Sequence, residues 1–446
     1  MKMRVLSVLR VLRVLRVPGV FSALSALSAL SAQSLASRIE QARDGVVRME
    51  IESRMGVCGD GRDVVGYKSA IFAHNFQSIG GRWNSNRCVP GPLRVTLSVA
   101  DGEVTRVRTQ VGGSWPSGES RVTDLGIASP REASAYFFSL VPRLESTSGK
   151  DRTLLPAVLA DDAPVIEPLL ALARDDRRAE HTRHQAILWL GLLGDETIIP
   201  ALVRFAREDV DGGESRKGRK KGLGSAALAA LSNLENDVGV PALIDLARTG
   251  SAGTRHDAAF WLGQNGSESA RRMLHTMIEN ANEESRVRKH AVFSLSHGGE
   301  TPDSEFAYLR NLYSRIDDRE VKEAIIQGMQ EDEGAGGRWL IERALDTREP
   351  LKLRKTALFW AGQRDETPTA ELARVYRDAD EPELREHAIF VLSQREDEAA
   401  IDELMRIARS DGDTRMRGKA LFWLAQKDDP RIRKLIADLV LKERDE

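Results

Sequence analysis

The chain has 446 residues, is 41% hydrophobic and 30% charged, and carries a formal net charge of −2. That balance belongs to a folded chain of two or three domains or to one long repeat array, and it excludes a disordered polyelectrolyte. A net charge so close to zero gives no global attraction to nucleic acid or to an anionic membrane surface.

Residues 1–34 read as an export signal. Lys2, Arg4, Arg10, Arg13 and Arg16 form a basic start, and residues 17–32 are an uncharged stretch made largely of Ala, Leu, Ser and Val. Small residues then cluster at Ala29-Leu30-Ser31-Ala32-Gln33-Ser34, as a signal-peptidase site requires. The uncharged run is shorter than the roughly 20 strongly apolar residues that span a bilayer. No cysteine follows the cleavage region, so a lipid anchor is not supported. The expected location is the bacterial envelope or beyond, periplasmic or extracellular.

Residues 38–150 change to a period of two and predict a small β-rich (α+β) module. Val46 to Glu52 and Leu93 to Val99 alternate like half-buried strands. Asp101-Gly102 is a hairpin signal, and Val104 to Thr109 is the returning strand. A short helix opens at Pro130 and runs to about Leu140, with Ser129 as its N-cap. The two cysteines, Cys58 and Cys88, bracket a Gly- and Asn-rich loop. In an oxidising compartment they form one disulfide, and closing a loop of that size is worth about 3 kcal/mol in the chain-entropy model. A metal site would need more ligands than these two thiols and the nearby His74. A nucleophilic cysteine with His74 as base lacks any family signature.

From residue 151 to 446 a repeat takes over. Arg255 to Gln264, Arg354 to Gln363 and Arg417 to Gln426 are versions of one motif. Its alanine falls at Ala186, Ala227, Ala258, Ala291, Ala324, Ala357, Ala388 and Ala420, at intervals of 31 to 33 after a first interval of 41. A second apolar helical stretch follows each copy, so each unit is a helical hairpin that buries its apolar face only by stacking on its neighbours. An arginine precedes the alanine by three residues at Arg183, Arg255, Arg288, Arg354, Arg385 and Arg417. It falls on the buried side and needs a partner. Acidic residues in the preceding turns, such as Asp380, Glu381, Asp411 and Asp413, can supply one from a neighbouring unit. This is a structural ladder.

The Arg-x-x-Ala-x-x-x-Leu core, as in Arg385-Glu386-His387-Ala388-Ile389-Phe390-Val391-Leu392, resembles the HEAT-repeat family, and in its short period the phycobilisome-lyase-type HEAT-like subset. The resemblance covers about residues 165–446. It implies a mostly α fold: a right-handed α-solenoid of about eight helical hairpins whose second helices line a concave groove. The Ala324 copy departs from it, with Val321 in place of the arginine and Gly328 in place of the leucine, so that unit is expected to be a soft point. No chromophore-handling residue carries over.

An aromatic ladder sits two and three residues after the alanine, with Phe260, Trp261, Phe359, Trp360, Phe422, Trp423 and Trp189 as its candidate partner-binding members and Phe293 and Phe390 in phase. The two readings are packing between repeats and a partly exposed stripe that grips a peptide or glycan. An amide ladder follows at Asn233, Gln264, Gln330, Gln363, Gln394 and Gln426, with His297 in phase, and reads as helix-end capping. Arg216 to Lys221 is the sharpest basic cluster and reads as a solvated loop. The histidines assemble no site in the sequence, and neither a phosphate loop nor a nucleophile elbow occurs. The expectation is a non-enzymatic exported scaffold that binds a protein or peptide, without catalytic, metal or cofactor site. The alternative is an enzyme or enzyme subunit with its site in the β module and the repeats as substrate platform. Nucleic-acid binding is a third reading, and the oligomeric state is left open.

Overall fold

The computed structural model describes residues 34–42, 44–62, 64–67, 70–71, 88–115, 118–144, 153–208, 222–298 and 301–445. The export-signal segment up to residue 33, His74 and the basic cluster 216–221 lie outside the described residues. Contacts divide the chain into two units, Met1–Thr182 and Arg183–Glu446.

Among its described residues the first unit contains α1 (Leu35–Glu40), eight strands, and helices α2 (Pro130–Leu144), α3 (Leu154–Leu159) and α4 (Ile166–Arg174). The strands are β1 (Gly45–Ile51), β2 (Val57–Gly59), β3 (Val64–Tyr67), β4 (Ala70–Ile71), β5 (Val89–Pro90), β6 (Leu93–Ala100), β7 (Glu103–Val111) and β8 (Val122–Ala128). One sheet runs β7-β6-β1-β8 and the other β4-β3-β2-β5. The period of two explains β1: Val47, Met49 and Ile51 are fully buried opposite Leu97, Val95 and Leu93 of the antiparallel β6. The predicted hairpin joins β6 to β7, and Asp101 and Gly102 both take positive φ, as a two-residue turn between twisted strands demands.

Cys58 and Cys88 form a disulfide with a Cα–Cα distance of 5.1 Å, next to the β2–β5 pairing. The unit extends past residue 150 because Arg54 reaches forward. Its Nε donates to the Val158 carbonyl at 2.9 Å and its guanidinium also reaches the Ala163 carbonyl at 2.5 Å.

The second unit is a run of helical hairpins. First helices are α5 (Glu180–Leu193, starting at the division), α7 (Leu223–Asn233), α9 (Ala252–Asn265), α11 (Ser285–His297), α13 (Arg319–Gly328), α15 (Leu351–Gly362), α17 (Pro382–Ser393) and α19 (Thr414–Leu424). They alternate with second helices α6 (Ile199–Glu208), α8 (Val240–Thr249), α10 (Glu268–Glu279), α12 (Asp303–Tyr313), α14 (Gly336–Leu345), α16 (Thr369–Asp378), α18 (Glu398–Ser410) and α20 (Pro430–Asp445). All eight register alanines lie in first helices, and seven of them are fully buried.

Successive first helices pack on one another far more extensively than successive second helices do. Small residues permit this. A Cβ on Gly191 would collide with the backbone of Ala230 in the next first helix, and one on Gly263 with the backbone of Ser294.

Candidate functional site

The arginine ladder occupies the seam between repeats. Arg288 and Arg354 are only 5% and 2% exposed, so their donors must be matched inside the protein. Arg288 Nε donates to the Ile278 carbonyl at 2.9 Å and Nη1 to Asp318 Oδ2 at 3.1 Å. Arg354 Nε donates to the Ala344 carbonyl at 2.9 Å and Nη1 to Glu381. Arg255 forms a two-pronged pair with Glu283, both bonds 2.7 Å, and reaches the Gly250 carbonyl at 2.8 Å. Arg385 donates to Asp411 Oδ2 at 2.8 Å and to the Tyr376 hydroxyl at 3.0 Å.

The pattern is regular. In the Arg255, Arg288 and Arg354 repeats a carbonyl comes from the end of the preceding second helix. In all four the carboxylate comes from the turn that opens the next first helix. Glu381 and Asp411 therefore serve as expected, but for the arginine one repeat earlier than the one they precede. Asp413 instead caps α19 through the Arg415 N–H. Arg183 lies half-buried in α5, and Arg417, in the last first helix, donates to the Asp411 carbonyl at 2.8 Å.

The carboxylates respond to these bonds. The Arg354 guanidinium beside Glu381 holds that carboxyl below its ordinary value. Burial pushes Glu283, Asp318 and Asp411 upward, but the hydrogen bonds they accept outweigh it, and all three lie below the usual carboxylate range.

The α13 repeat departs from its neighbours, and not as the sequence suggests. Ala324 is half-exposed, while Ile325 is fully buried. The helix is therefore set one residue later: Ile325 stands where the other repeats have alanine, and Lys322 stands where they have arginine. Lys322 Nζ reaches Glu349 at 3.2 Å and lies 4.7 Å from the centre of the Tyr313 ring. The ladder continues through the unit expected to be soft, with a lysine in place of the arginine.

The outward face of the first helices carries rings. His256 and His290 stack face to face at 3.8 Å, Phe293 packs on His290 at 5.9 Å, and His297 stacks on Phe293 at 4.3 Å. Phe390 contacts both His387, at 5.7 Å, and Trp423, at 5.5 Å. Burial pushes the His387 imidazole below its ordinary value, and its Nε2 donates to the Lys355 carbonyl at 3.0 Å.

Of the aromatic candidates, Phe260, Trp261, Phe359, Trp360 and Trp423 are half-buried and Phe422 is 60% exposed. Trp189 is corrected: at 1% exposure it is a core side chain and can meet no partner. Phe293, at 40%, is the exposed ring the candidate set omitted. The histidines were missed as a group because His256 and His290 occupy different repeat phases. The readable signal was the three- and four-residue spacing of His256-Phe260 and His290-Phe293-His297.

Beside the rings runs a second ladder of exposed or half-exposed ion pairs, Lys289–Glu320 at 2.8 Å, Lys352–Glu323 at 2.7 Å and Arg415–Glu386 at 2.6 Å. A cleft of about 480 Å³ opens on this face, walled by His256, His290, Phe293 and His297 on one side and Ala324, Gln327 and Gly328 on the other. Among the described residues no group of His, Cys, Asp and Glu side chains is arranged to hold a metal ion. In the first unit both thiols are used by the disulfide, so neither acts as a nucleophile there.

Residues 240–330 match the family model for HEAT repeats. More particularly, residues 182–208 match the PBS lyase HEAT-like repeat. No curated protein sequence matches the chain. Among solved structures, human deoxyhypusine hydroxylase in complex with glycerol is similar at 20% identity and a TM-score of 0.25, over 55% of this chain and 96% of that one. The complex of CpcE and CpcF of phycocyanin lyase from Nostoc sp. PCC7120 is similar at 18% identity and a TM-score of 0.27, over 58% of this chain and 93% of that one.

The expectation of a non-enzymatic protein is corrected: the repeat matched at residues 182–208 is named for a lyase. At this level of likeness no activity passes from the solved structures to this chain. Among the described residues no helix is long and apolar enough to cross a membrane.

Proposed function

We propose that this chain is an exported component of an enzyme system, in which the repeats form the platform that holds a substrate or partner on the outward, ring-bearing face of the first helices. The observation that carries the reading is the row of partly exposed rings on α9, α11, α15, α17 and α19. Rings supply much contact area at little entropic cost, and solvent-exposed ones are over-represented where proteins meet partners. Export rests on the basic, then uncharged, then small-residue order of residues 1–34, and a disulfide is compatible with it. The first unit offers no free thiol, and the platform reading does not depend on chemistry at a cysteine.

The test is site-specific photocrosslinking in envelope fractions of the source cell. A crosslinking amino acid replaces Phe293 or Phe422 on the first helices, or Arg204 or Arg272 on α6 and α10. The expected result is a defined adduct from the first-helix positions alone, whose partner is an enzyme subunit or an enzyme's substrate. Adducts from the second-helix positions alone, or none from either set, would overturn the reading.

A further inference from the structure

From α9 to α19 every first helix carries rings on its outward face except α13. Its sequence, from Arg319 to Gly328, contains no aromatic residue and no histidine. The later setting of this helix turns Ala324 outward beside Gln327, and those two with Gly328 leave the cleft of about 480 Å³ where a ring would continue the row. The ring before the break is Phe293, exposed and stacked on His297.

We infer that the break at α13 is a receiving slot for one planar aromatic side chain, indole or phenol, presented by a peptide segment lying along the first helices. The inference rests on the platform reading and names what that platform grips.

Three features specify the occupant. The walls are flat: Phe293 and His297 stand nearly parallel, with 19° between their planes, and a further ring extends an existing stack in the offset geometry that aromatic pairs favour. The charges are balanced: Arg286 and Lys289 line the slot against Glu320 and Glu323, so the lining carries no net charge and suits a neutral ring over a phosphate or an ammonium group. One polar group is at hand: the exposed Gln327 amide both donates and accepts, which matches an indole N–H or a phenol hydroxyl at the ring edge. The volume lies within the range of sites that hold small ligands. At the position that Gln327 holds in α13, the α15, α17 and α19 helices carry Phe359, Phe390 and Phe422 of the chain itself.

The test uses the full chain and three probes: N-acetyl-tryptophanamide, N-acetyl-tyrosinamide and, as aliphatic control, N-acetyl-leucinamide. Imidazole ring signals of His290 and His297 are followed by NMR during titration. Saturable shifts with the two aromatic probes and none with the leucine probe are expected. Gln327→Trp, at an exposed position that leaves the core untouched, fills the slot from within and should abolish the shifts. Phe293→Ala should weaken binding at least about fivefold, the scale of one aromatic contact of about 1 kcal/mol. Equal shifts with the leucine probe, or shifts that survive Gln327→Trp, would overturn the slot. If the slot fails while adducts from Phe422 persist, the platform reading stands. If the slot binds and those adducts fail, only the platform reading falls.

Discussion

The α13 and α15 repeats stand side by side and solve one problem in two ways. In α15 the register alanine, Ala357, is fully buried, and the adjacent Arg354 is sealed against Glu381 and the Ala344 carbonyl. In α13 the buried place belongs to Ile325, and the cation is Lys322, less deeply enclosed and shared between Glu349 and the Tyr313 ring. A planar guanidinium with five donors can bind a carbonyl and a carboxylate together, whereas an ammonium at the end of a flexible stem makes a looser contact. A repeat can therefore keep its inter-unit cation while its helix is set differently, and the side chains it turns outward then differ from those of its neighbours.

The widest gap between the two repeats should appear on removing the cations. Arg354→Met leaves the Ala344 carbonyl and Glu381 without their donor and should cost about 3–5 kcal/mol in denaturant unfolding. Lys322→Met should cost about 1–2 kcal/mol, because its contacts are fewer and its site is closer to solvent. Equal losses would erase the distinction.

Next in size is the close approach of first helices. Gly263→Ala drives a methyl into the Ser294 backbone and should cost about 1–3 kcal/mol, while Gly412→Ala, with open space around it, should be near neutral. A smaller contrast separates the alanines. Ala357→Ser buries a hydroxyl and should cost about 1–2 kcal/mol, whereas Ala324→Ser should stay within about 0.5 kcal/mol.

The smallest effect near neutrality is that of pH. The folded pKa values of Glu283, Asp318, Glu381 and Asp411 lie below their ordinary values. The stability they contribute is complete above the unfolded carboxylate range of about 4 and is lost as pH falls through the folded values. The melting temperature should be flat in this respect from pH 6 to 8 and fall in acid. The fall should be shallower in Arg354→Met, where Glu381 has lost the cation that depresses it.

Much of the fold was legible because its signals are local and repeated. A period of two marked β1, β6 and β7, Asp101-Gly102 marked their hairpin, and alanine spacing marked the eight first helices. What was not legible depends on a third dimension. The arginines pair forward to the next repeat, across 26 to 30 residues of chain, and spacing alone gives no direction. Ala324 kept the expected spacing, so the one-residue shift at α13 became visible only through the burial of Ile325. Trp189 shares its position in the motif with the half-buried Trp261, Trp360 and Trp423, yet is buried by what packs on it. His256 and His290 meet across two helices from different phases of the repeat.

The most direct measurement is thiol labelling of single-cysteine replacements in the unreduced protein, whose two native cysteines are joined in the disulfide and do not react. Cysteine at Ala324 should react readily with a maleimide, while cysteine at Ile325 and at the neighbouring register alanine Ala291 should be protected until unfolding. Protection at 324 with reaction at 325 would put α13 in step with its neighbours, close the break in the ring row, and contradict the account.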